Sequence, residues 1–147
     1  MAIRPTRNPL TILVVTAALL LLAVPAGYFV LTYGCGDRED RLAAALAGDP
    51  ALNAAPDGAR KGESYRECDE DDLFVSVGTE FAHEGSPKDP LAPHLGAARA
   101  EGWRPVAGFD CYSKRLDGRT AYLTVDAAGA GRVEVSITAN HEGDEWC

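Results

Sequence analysis

Basic residues are scarce in this chain: 14 Lys and Arg stand against 22 Asp and Glu, for a formal net charge of −8. Nucleic acids and anionic lipid surfaces are held by basic faces, so this balance argues against both as docking partners. Close cysteine pairs are lacking too. None of Cys35, Cys68, Cys111 and Cys147 belongs to a CxxC motif, which sets aside dithiol redox catalysis and a zinc ribbon. Ser64, Ser76, Ser86, Ser113 and Ser136 are available as nucleophiles. None stands in a Gly-x-Ser-x-Gly or Ser-x-x-Lys motif, and the chain has no phosphate loop.

Charge is absent altogether from Leu10 to Tyr33, LTILVVTAALLLLAVPAGYFVLTY. As a helix rising 1.5 Å per residue this stretch spans about 36 Å, enough to cross a hydrocarbon core of about 30 Å with some tilt. Arg4 and Arg7 precede it without an acid, and Asp37-Arg38-Glu39-Asp40-Arg41 follows it. The positive-inside rule then keeps residues 1–9 in the cytoplasm, makes 10–33 a single-pass transmembrane anchor in the plasma membrane, and sends the rest outside. Two other fates compete with the anchor. A cleaved signal peptide would use Leu10 to Ala23 as its apolar region and Val24-Pro25-Ala26 before Gly27 as its exit. A lipoprotein would be modified at Cys35, although Leu31 and the bulky Tyr33 fit that recognition box poorly.

Beyond the anchor lie about 112 residues, enough for one domain with a modest core. They hold all 22 acids and 12 of the basic residues, a net charge near −10. All four cysteines also fall here, and an even count in an oxidising compartment reads as two disulfides. Three pairings are possible. The favoured one links Cys68 to Cys111 within the domain and Cys35 to Cys147, tying its start to its end.

Residues 34–62 read as a juxtamembrane helix and linker. Asp37 to Ala47 is helical, with Asp37 as cap, Gly48 and Pro50 as stop, and only Leu42, Ala45 and Leu46 as a light apolar stripe. Asp49 to Gly62 has no period and reads as a linker or strap. The extracytoplasmic domain proper is expected over 63–147. Glu63–Cys68 is a short strand and Asp69-Glu70-Asp71-Asp72 a turn. In the next strand Leu73, Val75, Val77, Thr79 and Phe81 alternate with Phe74, Ser76, Gly78 and Glu80. Asp89-Pro90 opens a helix with Leu91, Leu95 and Ala98 inward, His94 exposed and Gly102 at its end. Trp103 closes one end of the core. Trp103–Lys114 is a broken strand, and Asp117-Gly118 is a tight hairpin turn. Two alternating strands follow, through Ala121, Leu123 and Val125 and then Val133, Val135, Ile137 and Ala139. The expected fold is α+β: the transmembrane helix, a short helix, then β-β-α-β-β-β as an antiparallel sheet of four or five strands covered by one helix.

Three clusters carry conceivable chemistry. Asp69 to Asp72 offers oxygens to calcium but lacks the alternate-ligand spacing of an EF-hand and reads as a solvated turn. His83, His94 and His141 with Glu84, Glu142, Asp144 and Glu145 offer metal donors, yet no two histidines share ligand spacing on one element. Tyr112, Tyr122 and Trp146 suggest an aromatic patch on the outer face of the last strands; rings that simply shield the sheet are the plainer reading.

Gly102-Trp103 stands eight residues before Cys111-Tyr112-Ser113-Lys114 and well after Cys68-Asp69-Glu70-Asp71-Asp72. In these features, and in its Ala-, Gly-, Arg- and Asp-rich composition, the chain resembles small membrane-anchored or exported proteins of actinobacteria over roughly Leu42 to Thr138. The resemblance implies a shared fold and a place on the outer side of the cell membrane, and no activity. Expected, then, is a non-catalytic binding domain with no cofactor or resident metal, meeting an envelope protein or cell-wall component. The alternatives are a metal-binding protein or hydrolase using the acidic turn and histidines, or a secreted protein.

Overall fold

The computed structural model describes residues 9–32, 35–85 and 88–147. Arg4, Arg7, Tyr33 and Ser86 lie outside the described residues. The chain divides into two compact units, residues 1–34 and 35–147.

The first unit contains one helix, α1 (Pro9–Thr32), 24 residues without an acid in its first turn or a base in its last. Its described side chains lie between Ile12 and Val24 and all are exposed, Leu13 at 68% and Leu21 at 75%. Thr16 donates its hydroxyl to the Ile12 carbonyl at 2.9 Å, so even the one polar side chain in this stretch is satisfied within the helix. Among the described residues no helix counts as long and apolar enough to cross a membrane.

The second unit begins with α2 (Asp37–Ala47), whose bounds agree with the sequence expectation. The cap is Gly36 rather than Asp37: Glu39 reaches back to accept the Gly36 N–H at 3.0 Å, and Asp37, Glu39 and Asp40 face the positive end of the helix. Leu42, Ala43 and Leu46 are at most 2% exposed, so the helix expected to pack lightly is part of the core. The stretch after it, read as a linker, starts with a further turn, α3 (Pro50–Asn53). Asp49 caps it through the Ala51 N–H at 2.9 Å, and Ala51 and Leu52 are buried.

Six strands then form one antiparallel sheet: β1 (Ala59–Cys68), β2 (Val75–His83), β3 (Arg104–Pro105), β4 (Tyr112–Leu116), β5 (Arg119–Gly129) and β6 (Arg132–Ala139), in the order β1-β2-β6-β5-β4-β3. A helix, α4 (Leu91–Ala100), interrupts them. The α+β class is as expected. The sixth strand arises because the loop after Pro105, with Gly108 at φ +86°, splits the expected Trp103–Lys114 strand in two. Asp117 and Gly118 at φ +49° and +76° make the expected hairpin turn.

The period-2 pattern meets in register across the sheet. Val75, Val77, Thr79 and Phe81 lie opposite Ala139, Ile137, Val135 and Val133, and Leu123 lies between Tyr112 and Ile137. Three helices rather than one cover this face, since Leu42, Leu46, Leu52 and Ala98 join the same core. On the other face Tyr65 lies over Gly78, where a Cβ would come within 2.3 Å of its ring, and donates to Glu134 at 2.7 Å.

One buried charge pins α3 to the sheet. Asp49, 4% exposed, accepts Trp103 Nε1–H at 3.2 Å and Lys114 Nζ–H at 2.8 Å in addition to its cap bond. Trp103 is fully buried and closes this end of the core, as expected.

The disulfides correct the favoured pairing. The bonds are Cys35–Cys68 and Cys111–Cys147, with Cα atoms 6.1 Å apart in each. Cys68 ends β1 and Cys111 adjoins β4, four strand spacings away across the sheet. At about 4.8 Å per spacing that gap is about 19 Å, where a disulfide tolerates less than about 7 Å.

Candidate functional site

In the second unit, Phe109 (54%) and Trp146 (49%) are the large hydrophobic side chains left exposed among the described residues. Both line one open groove of about 500 Å³. The loop between β3 and β4 turns through Phe109 N–H to Val106 O and Val106 N–H to Cys111 O, which carries Phe109 off the sheet. Cys111, 3% exposed, holds Cys147 and so brings Trp146 to the same groove.

The tail that presents Trp146 is organised, although its sequence reads only as polar. Asn140, 1% exposed, accepts the Gly143 N–H at 2.7 Å and the Asp144 N–H at 3.1 Å, and donates to Asp144 at 2.7 Å. Arg119 donates to the His141 carbonyl, and the His141 ring bonds the Arg38 carbonyl at 3.2 Å, tying the tail to α2. Burial depresses the His141 pKa, with the Arg38 bond working against it. Trp146 rests against Phe74, ring centroids 4.7 Å apart.

Asp110, Asp126 and Glu145 line the groove beside these two rings, with no Lys, Arg or His among the described residues. Tyr122 registers the local field: burial raises its pKa, and the nearby Glu145 adds to the rise. A second, smaller hollow of about 320 Å³ shares Phe109, Asp110 and Asp126. The expected patch is therefore redrawn. Tyr112 faces the core side, 8% exposed, accepting from Arg99 at 2.8 Å. Tyr122 is 6% exposed; the exposed ring that shares the groove with Trp146 is Phe109, while the ring in contact with Trp146 is Phe74. Gly108-Phe109-Asp110, a turn residue followed by an apolar and an acidic one, is the sequence feature from which Phe109 could have been found.

Three of the five candidate nucleophiles have other partners. Ser64, Ser76 and Ser136 pair their hydroxyls with Thr79, Thr138 and Thr124 at 2.9, 3.1 and 2.8 Å. In the acidic turn, Asp69 accepts the Asp71 and Asp72 N–H groups at 2.8 and 3.2 Å, which closes the loop on its own side chain. Among the described residues no three His, Cys, Asp or Glu side chains converge as metal donors.

Two histidines do meet. His83 Nε2 and His94 Nε2 are 3.0 Å apart, with rings at 83°. His94 is 3% exposed and packs 4.8 Å from Phe81, against the expectation of an exposed ring. The helix turns His94 and Ala98, one turn apart, to the core, leaving Leu91 and Leu95 at its flank. Burial, with the neighbouring His83 adding to the fall, pushes the His94 pKa down to about 4. The unfolded chain takes up this proton near pH 6.5 and the folded chain only near 4, so stability present above pH 6.5 is lost as pH falls through that window. Allowing for solvent at the half-exposed His83, urea unfolding at pH 7 and pH 4.5 should show about 2 kcal/mol more acid destabilisation in the native protein than in His94→Gln. Equal acid sensitivity would contradict it.

No family model, no curated protein and no solved structure matches the chain.

Proposed function

We propose that this is a single-pass membrane-anchored protein whose disulfide-bonded domain works outside the plasma membrane as a non-catalytic binding module for a positively charged partner of the cell envelope. The observation that carries the anchor is α1: 24 residues without charge, with apolar side chains exposed along the whole described stretch. A helix apolar on all sides is unfavourable in water and at home in a bilayer. Two disulfides among the residues after it support an oxidising compartment.

The groove between Phe109 and Trp146 is the binding surface in this reading. Its carboxylates attract a cation from solution, and an indole face holds an ammonium or guanidinium group for about 0.5 to 2 kcal/mol. The acidic charge of the domain works in the same direction.

Two measurements test the two parts. The native protein should resist alkaline carbonate extraction from its own membranes, while the domain should be cut by protease added outside cells stripped of their wall; carbonate release would remove the anchor. A lysine-rich peptide should bind the purified protein and lose about tenfold in affinity in the Phe109→Ser, Trp146→Ser double variant, with further weakening as salt rises. Salt-insensitive binding, or unchanged affinity in the variant, would remove the groove.

A further inference from the structure

The groove leaves His83 and His94 unused, although they come from different elements and meet at a partly buried point. We propose that His83 and His94 form a binding site for a borderline transition-metal ion, copper(II) foremost, with Nε2 of each ring as ligand.

The spacing supports this choice. Ligand nitrogens stand about 2.0 to 2.1 Å from such an ion, so two of them in cis positions at right angles lie about 2.9 Å apart, and about 3.3 Å apart in a tetrahedral site. The observed 3.0 Å falls between these, closer to the tetragonal arrangement that copper(II) and nickel(II) prefer. Copper(II) heads the affinity order for imidazole sites. The shared hydrogen bond already fixes one nitrogen of each ring at the meeting point. On binding, the ring that donates the shared bond gives up its Nε2 proton and takes one up at Nδ1, so both rings ligate as neutral imidazoles and the metal takes the place of the hydrogen bond.

Access and rigidity are divided between the two rings. His94 is held by Phe81 and by its burial in the core, so it is the fixed ligand. His83, at the end of β2, is the half-buried one and turns to aim its lone pair at the ion; Glu84 and Gly85 beyond it are exposed. With no third protein donor converging among the described residues, water completes the coordination. Hard ions such as calcium and magnesium, which take oxygen ligands, are not bound here. The site lies on residues separate from the groove, so neither claim depends on the other.

The test uses the full chain in detergent at neutral pH, freed of metal and titrated with copper(II) chloride under electron paramagnetic resonance. Expected is one copper per chain with splitting from two nitrogen ligands, and a melting temperature raised by copper but not by calcium. His83→Ala and, as a second variant, His83→Gln should each weaken binding by at least about tenfold and remove the two-nitrogen pattern, while metal-free melts confirm that both remain folded. His141→Ala should bind as the native protein does. No stoichiometric copper, or an unchanged nitrogen pattern in the folded His83 variants, would overturn the site.

Discussion

Asp49→Ala is expected to lower the stability of the domain by about 3 to 5 kcal/mol, the range for removing one partner of a buried ion pair. Three groups lose their acceptor at once. The Ala51 N–H at the start of α3 loses its cap, a loss of about 1 kcal/mol. Trp103 Nε1–H, on a fully buried ring, is left unpaired for about 1 to 3 kcal/mol. The Lys114 ammonium, on a side chain only 20% exposed, loses its counter-ion. Lys114 also sits 5.5 Å from the centre of the Trp103 ring, an attraction that survives the substitution and keeps the total below a simple sum. Asp49→Asn separates the contributions, since the amide oxygen can still cap α3 and accept from Trp103 while the charge is gone. Its cost should be about half that of Asp49→Ala. Adding Lys114→Met to Asp49→Asn should recover part of the remainder, because the unpaired charge then disappears. Urea unfolding followed by tryptophan fluorescence measures all three; a loss under about 1 kcal/mol in Asp49→Ala would show that the buried pair is not what fixes α3 to the sheet.

The same residue shows where the sequence could be read and where it could not. Asp49-Pro50 has the same form as Asp89-Pro90, and both pairs cap helices: Asp89 accepts the Leu91 and Ala92 N–H groups at 3.1 Å each. Only the second reads as a helix start in the sequence, because α3 has four residues and no room for a periodic stripe. Long elements with large apolar side chains were legible, as the agreement over Asp37–Ala47 and the alternation of β2 and β6 show. Helix phase was not. In α2 the buried set is Leu42, Ala43 and Leu46 rather than Leu42, Ala45 and Leu46, since alanines fit either side of a stripe and only packing chooses. In α4 the same ambiguity hid His94, whose neighbours Leu91 and Leu95 suggested a different inward face. The meeting of His83 and His94, and the shared groove of Phe109 and Trp146, depend on contacts between different segments. Periodicity within one segment carries no information about them.

Removal of the Cys111–Cys147 bridge, by substituting both cysteines with serine, is expected to cost about 4 kcal/mol and to weaken peptide binding at the groove by about tenfold, as loss of the two rings does. Removal of Cys35–Cys68 should cost about the same and leave binding in place. The similar costs follow from the loops, since the bonded cysteines are 33 and 36 residues apart, and closure entropy grows only with the logarithm of loop length. Against a total stability of about 5 to 15 kcal/mol, either loss is large. The difference in function follows from position. Cys147 directly follows Trp146, and its partner Cys111 follows Phe109 by two residues, so this one bond sets the distance between the two exposed rings. Cys35–Cys68 instead joins the start of α2 to the end of β1, on a strand at the far side of the sheet from β4. Urea unfolding and peptide titration on the two double variants separate the effects, and a non-reducing peptide map of the native protein checks the pairing itself. A Cys68–Cys111 peptide in that map would contradict the strand order β1-β2-β6-β5-β4-β3. Unaltered peptide binding without Cys111–Cys147 would mean that Asn140 and the His141 contact to α2 suffice to hold Trp146 at the groove, making the bridge a matter of stability alone.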